Sequence, residues 1–233
     1  MRRALKGMIL NIIEYTKLTP DIRQDMLDVV VKTDKLEKTL KELYKTVGKA
    51  FASEQFKEFN KWKAEYDPSV WEDILEAYAT IESGVKIKSI KGTQLEMLWS
   101  LLSEIQLEAV ENGYGVEKTA RYLRKELLKR GIEKQQWYAR RIVHTETGAS
   151  SNYAQIESAR QLPFKVNKRW IAIPAKTTDR HYPGMNNHPE IDIDDLFNVD
   201  GELMSQPFDS RHGATAKNIV NCRCRIEFVR YGT

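Results

Sequence analysis

All four histidines and both cysteines stand in the second half of the chain: His144, His181, His188, His212, Cys222 and Cys224. In extended backbone, Cys222 and Cys224 project to one face with Cα atoms roughly 6.5–7 Å apart, at the far limit of disulfide geometry. Two thiolates can instead share a metal ion. Tetrahedral zinc takes Cys and His donors, so the expected ligand set is His181, Cys222 and Cys224, with His188 or His212 as a fourth. The C-x-C spacing differs from the C-x2-C knuckle of zinc fingers. The competing reading has no metal: a buried and a half-exposed cysteine, with His181 hydrogen-bonded to loop backbone.

Carboxylates accompany the histidines. Asp179, Glu146 and Asp209 could join His181 in a hydrolytic site, in which one carboxylate orients a histidine acting as base. A metal-dependent hydrolase or nuclease would have His181, Cys222 and Cys224 holding the ion, with Asp179 or Glu146 positioning water. No G-x-S-x-G, H-E-x-x-H, P-loop or G-x-G-x-x-G occurs in the chain. Asp179 and Asp209 stand among Pro and Gly residues where Asx turns form, and Asn218 and Asn221 can bridge strand ends in the same way. An ordinary turn network accounts for them more simply than catalysis does.

A third group is basic. Residues 116–161 hold 10 basic against 5 acidic side chains, whereas residues 51–115 hold 6 against 12. Within the basic stretch, Arg121, Arg124, Lys125, Lys129, Arg130, Lys134, Arg140 and Arg141 could present a face to nucleic-acid phosphates. An ordinary solvated helix face has the same composition, and no groove-reading motif accompanies it. Banded charge of this kind also allows neighbouring copies to pair.

The elements that position these groups can be read from the pattern. At 233 residues the chain can bury about 70–75% of its unfolded surface, and 41% hydrophobic with 30% charged residues excludes a disordered polymer. The apolar runs, such as Met8–Ile13 and Met97–Leu102, fall well short of the roughly 20 residues that cross a bilayer. Arg2 and Arg3 precede a short stretch broken by Asn11 and Glu14, which is no signal peptide, and two cysteines one residue apart suit a reducing compartment.

Leu36, Leu40, Leu43 and Val47 predict a helix ending at Gly48. Asp67-Pro68 opens a second helix, expected to end near Ser83-Gly84. A Thr93-x-x-Glu96 capping box opens a third, which Asn112-Gly113 stops. Further helices are expected from Val116 to Arg130, closed by Gly131, and from Glu133 toward Arg160, weakened at Gly148. Beyond Pro163 the texture changes. Alternation predicts strands at Lys165–Ile173 and Cys224–Arg230, separated by a loop-rich stretch dense in Pro and Gly. The expected fold class is α+β: a helical N-terminal region, 1–115, then a small α+β domain, 116–233, with a short antiparallel sheet and long loops.

The order of features in the second half carries a resemblance. Arg141-Ile142-Val143-His144-Thr145-Glu146-Thr147 is followed by Asn152, Trp170, Thr178-Asp179-Arg180-His181, Gly184-Met185-Asn186, Asp194-Asp195-Leu196-Phe197, Gly201, Pro207 and Asn221-Cys222-Arg223-Cys224. Over about residues 135–230 this resembles the head morphogenesis domain of the phage Mu F-like minor head proteins. Its most specific parts are the T-E-T on a helix and the N-C-R-C before a strand. The resemblance implies a non-enzymatic minor head protein of the virion or procapsid, made in the host cytoplasm and placed inside the capsid or at the portal. Its implied partners are the portal protein, the major capsid protein or both, with several copies per particle, no membrane, and non-specific contact with double-stranded DNA. Many relatives carry an upstream C-x2-C and a His three residues before C-R-C. Here Asp179-Arg180-His181 and Ile219 occupy those regions, so at most three ligands match, and the expectation is no cofactor, with zinc as the one alternative.

Overall fold

The computed structural model describes residues 1–18, 24–62, 68–172, 181 and 190–231. Five helices come first: α1 (Arg2–Leu18), α2 (Gln24–Val30), α3 (Asp34–Phe59), α4 (Pro68–Glu111) and α5 (Val116–Arg160). They precede β1 (Val166–Ile171), β2 (Ile191–Asp192), β3 (Phe197–Val199), β4 (Glu202–Met204), the short α6 (Ala216–Ile219) and β5 (Arg225–Arg230). The fold is α+β, with a helical N-terminal region and small antiparallel sheets, in agreement with the sequence pattern. No helix of the described residues is long and apolar enough to cross a membrane.

The expected helix boundaries are corrected at several points. The predicted stop at Gly48 does not occur: α3 continues to Phe59, and a Cβ at position 48 would collide with the Leu75 side chain. The two helices expected around 67–83 and 93–112 are one 44-residue helix, α4, so Thr93 and Glu96 lie mid-helix and form no capping box. Inside it the Ser83 hydroxyl donates to Thr80 O at 3.3 Å. The helices expected on either side of Gly131 are likewise one 45-residue helix, α5, and a Cβ at Gly131 would stand 2.7 Å from Ile9 Cδ1. A glycine costs a helix interior only about 1 kcal/mol relative to alanine, less than the packing that a continuous apolar stripe gains. Asn112-Gly113 does stop α4. Gly113 has φ +63°, its N–H donates to Val110 O, and the N–H of Tyr114 donates to Ala109 O, the paired bonds of a Schellman cap.

The chain forms two compact units, each drawn from two stretches: Met1–Lys41 with Thr80–Arg140, and Glu42–Ala79 with Arg141–Thr233. In the first, Leu5, Met8, Ile9, Leu98, Leu101 and Leu127 are buried, and the Gln135 amide donates to Leu5 O at 2.9 Å.

The second unit holds the sheets. β1 is the central strand of an antiparallel sheet ordered β2-β1-β5, with β1 paired to β5 from Val166↔Arg230 to Ile171↔Arg225. Strand alternation buries Val166, Lys168 and Trp170 of β1 and Ile226 and Phe228 of β5. Phe56, Phe59, Leu75, Ala154 and Ile156 join Ile226 and Phe228 in one core cluster, while Trp170 packs in another with Phe197, Met204, Phe208, Cys222 and Cys224. β3 and β4 form a separate hairpin. Its two-residue turn, Asp200-Gly201, has φ of 52° and 83°, the left-handed pair that a type I′ turn requires.

Candidate metal centre

Two pieces of local structure bring the two cysteines into the interior. Just before β5, the Asn221 backbone adopts φ +60°, which turns the chain out of α6 toward the strand. Helix α5 then fastens this turn. The Asn221 N–H donates to Thr145 Oγ1 at 3.2 Å, and His144 Nε2 lies 2.8 Å from Cys222 O, so that nitrogen carries the proton. The T-E-T helix and the N-C-R-C turn, 76–78 residues apart in sequence, thus form one structural joint.

His181, Cys222 and Cys224 meet within the second unit, with their donor atoms all within 4.8 Å of one another. All three are buried, at 1%, 4% and 3% exposure. His181 Nδ1 lies 3.6 Å from Cys222 Sγ and 3.5 Å from Cys224 Sγ. Zinc–sulfur and zinc–nitrogen bonds of ~2.3 Å and ~2.0–2.1 Å at a tetrahedral angle would separate S and N by about 3.5–3.6 Å. Both nitrogen–sulfur distances therefore match the spacing a tetrahedral ion needs. Among the described residues the far nitrogen, Nε2, meets the Asn218 side chain at 3.2 Å, and both cysteines are buried where the metal-free reading expects one half-exposed.

The surroundings favour one negative charge on the sulfur pair. The Cys222 thiol donates to Cys224 and, against the effect of burial, helps hold the Cys224 thiol below its ordinary range, with further support from His181. The same exchange, together with burial, pushes Cys222 strongly up. Trp170 Nε1 finds no oriented hydrogen-bond partner among the described residues, although its ring stands edge-on to His181 at 6.0 Å. The Cys224 N–H also points to Cys222 Sγ at 3.4 Å. A divalent cation would meet one thiolate already formed at Cys224 and would have to displace the proton that Cys222 holds.

No known protein family, curated protein or solved structure matches this chain.

The other candidate residues are placed elsewhere. His212 does not join the cluster of donors, and its Nδ1 pairs with Asp209 Oδ2 at 2.6 Å. His188 and Asp179 lie outside the described residues. Asp209 sits inside its own turn, accepting from the Ser205 N–H and hydroxyl and from the Arg211 N–H and guanidinium. Burial pushes its carboxyl up, but Arg211 and Ser205 outweigh that and leave it well below the usual carboxylate range. Glu146 accepts from the Tyr44 hydroxyl at 2.5 Å. Asp209 thus lies in a turn network, whereas Glu146 lies inside α5. The sequence pattern suggests Asn218 only as a bridge between strand ends beside the N-C-R-C motif, and Glu202, far upstream of that motif, carries no signal.

Helix α5 sorts the basic residues by face. Arg121, Lys125 and Lys129 follow i, i+4, i+8 spacing, and Lys118 and Arg140 fall on the same side; all five are exposed. Arg124 and Arg141 are half-buried and off that line. Arg130 is not a free phosphate contact. It makes a two-bonded pair with Glu108 at 2.6 and 2.7 Å and also reaches Glu126 at 2.9 Å and Glu104 at 3.3 Å. Arg130 and the Tyr122 hydroxyl hold the Glu108 carboxyl down to about 2.

Proposed function

We propose that this chain is a non-enzymatic minor head protein of a tailed phage or prophage. Its second unit would be a docking module clamped by zinc at His181, Cys222 and Cys224. The observation that carries the reading is the joint between the T-E-T helix and the N-C-R-C turn. The two most specific parts of the resemblance to the head morphogenesis domain meet at His144–Cys222 and Thr145–Asn221, beside the three donors. A buried ion there would tie His181 to the turn that leads into β5, beside its joint with α5, which is the task of a structural rather than a catalytic metal. The portal or capsid protein is the proposed partner, and the exposed stripe Lys118, Arg121, Lys125, Lys129 and Arg140 is the proposed contact with packaged DNA.

The test has two parts. Metal analysis of the purified full chain should give close to one zinc per chain, lost in Cys224→Ser. Procapsids and portal assemblies made with the chain should contain it after sedimentation. Its absence from particles at every stage of assembly would remove the head-protein reading.

One observation favours a second reading, a metal-dependent hydrolase or nuclease. Among the described residues three protein donors gather there, the number that catalytic zinc sites use with water at the fourth position. Metal-dependent cleavage of nucleic acid that disappears in His181→Ala would reverse the order of the two readings.

A further inference from the structure

We infer that Asn218 is a positioning residue that keeps the proton of His181 on Nε2 and thereby makes Nδ1 the donor atom facing the two sulfurs. The inference rests on the metal reading above and identifies what sets the orientation of its only described nitrogen ligand.

The argument starts at the hairpin. Glu202, the first residue of β4, accepts from the Thr215 hydroxyl at 2.7 Å through Oε1 and from the Thr215 N–H at 2.9 Å through Oε2. Those two bonds keep its carboxyl below the usual range, so at neutral pH it is a carboxylate that only accepts. Asn218 Nδ2 lies 2.9 Å from Glu202 Oε2 and 3.2 Å from Val199 O. Both neighbours are acceptors, so the amide NH2 must face them. Turning the amide over would set its oxygen against a carboxylate and a carbonyl.

With the NH2 fixed there, Asn218 Oδ1 faces His181 Nε2 at 3.2 Å. That oxygen cannot donate, so Nε2 carries the hydrogen. Asn218 is 0% exposed and His181 1%, which leaves no route for bulk water to replace the bond. With Nε2 protonated, Nδ1, 3.5 and 3.6 Å from the sulfurs, is the ring nitrogen that can give its electron pair to a cation, releasing any proton it shares with Cys224. A hairpin carboxylate, the start of α6 and an amide thus decide which imidazole nitrogen is offered to a cation. Such outer hydrogen bonds fix both ring orientation and tautomer in metal sites.

The experiment uses the full chain labelled with 15N. Long-range proton–nitrogen spectra, with the His181 signals assigned by their loss in His181→Asn, are recorded before and after one equivalent of zinc. The expected result is a protonated Nε2 in both states and a zinc-induced shift at Nδ1. Zinc affinity, measured by competition with a chelating dye, should fall about 10–100-fold in Asn218→Leu. An unprotonated Nε2, zinc bound at Nε2, or unchanged affinity in Asn218→Leu overturns the inference. A wild-type chain that takes up no zinc overturns the metal reading alone, and the proton position in that metal-free chain still decides the role of Asn218.

Discussion

The ring of Phe208 lies against the bare Cα of Gly148 on helix α5, so closely that a Cβ there would overlap three of its ring carbons. Phe208 reaches this position with φ +69°, a left-handed backbone that costs a non-glycine residue roughly 1–2 kcal/mol. Its ring also stands edge-on to His144 at 5.9 Å. Gly148→Ala is therefore expected to destabilise the protein by about 1–3 kcal/mol, although alanine is the better helix former. Gly84→Ala, in α4 with open space around it, should stabilise by about 0.5–1 kcal/mol. Urea unfolding of both variants decides the matter; a similar gain at the two positions would show that the contact with Phe208 is not limiting.

Asp209 gives a prediction with a defined pH window. Its folded-state pKa lies below the unfolded value, so its stabilising effect is present above about pH 4 and is lost as pH falls through the acid range. Asp209→Asn should cost about 2–4 kcal/mol at pH 7, because it weakens the hold on Arg211 and the Ser205 N–H. The gap between the two proteins should narrow below pH 4 in urea titrations. A gap of constant size from pH 7 to pH 2.5 would mean that the carboxylate charge contributes nothing.

The pattern of residues disclosed the element types more fully than their ends. The strands at 166–171 and 225–230 were legible because β-branched and aromatic residues alternate there with polar ones, and their sheet positions follow from that alternation. Glycines misled. Gly48, Gly131 and Gly148 carry the mark of helix ends or weak points, whereas in the structure each admits a neighbouring side chain, Leu75, Ile9 or Phe208. A close approach between segments distant in sequence leaves no local signature. The hairpin at Asp200-Gly201 did have one, since D-G between Phe-Asn-Val and Glu-Leu-Met is a type I′ turn signal, but its surroundings read as a run of breakers. The three donors of the metal centre were visible as residue types. The Asn218–Glu202–Thr215 chain that orients them was not, because hydrogen-bond direction depends on which acceptors the fold brings together.

The sorting of basic residues on α5 predicts two separable effects. Replacing Arg121, Lys125 and Lys129 with Gln should lower non-specific DNA binding and make the salt dependence shallower by roughly 2–3 in log–log slope, provided each side chain neutralises one phosphate. Arg130→Gln should leave that slope unchanged while lowering thermal stability, since its partners are Glu104, Glu108 and Glu126. Filter binding between 50 and 200 mM salt distinguishes them. Equal loss of slope in the single and triple variants would contradict the assignment of Arg130 to a structural network.

Lys168 is the most unusual charge in the sheet, fully buried at the centre of β1. Its ammonium donates to Ser205 O at 2.9 Å and lies 5.2 Å from the centre of the Phe197 ring, with no carboxylate bonded to it. Burial, assisted by Arg160, lowers its pKa to about 8 from 10.5, while Asp194, Asp195 and Asp209 oppose that only in part. The sign follows from proton binding. Between pH 8 and 10.5 the unfolded chain holds more protons than the folded one, so stability rises with pH across that window and the full penalty applies below it. The shift corresponds to a penalty on the order of 3 kcal/mol, reduced where the residue retains partial solvation. Lys168→Met removes the charge and keeps the stem, at the cost of the bond to Ser205 O. Relative to wild type, the variant should hold its greatest advantage at pH 7 and lose most of it by pH 10.5, because the wild-type lysine is then neutral in the folded state and about half neutral in the unfolded one. Urea unfolding at pH 7, 8.5 and 10.5 reads the difference directly. A difference that stays flat across this range would show that the folded protein accommodates the ammonium as well as water does.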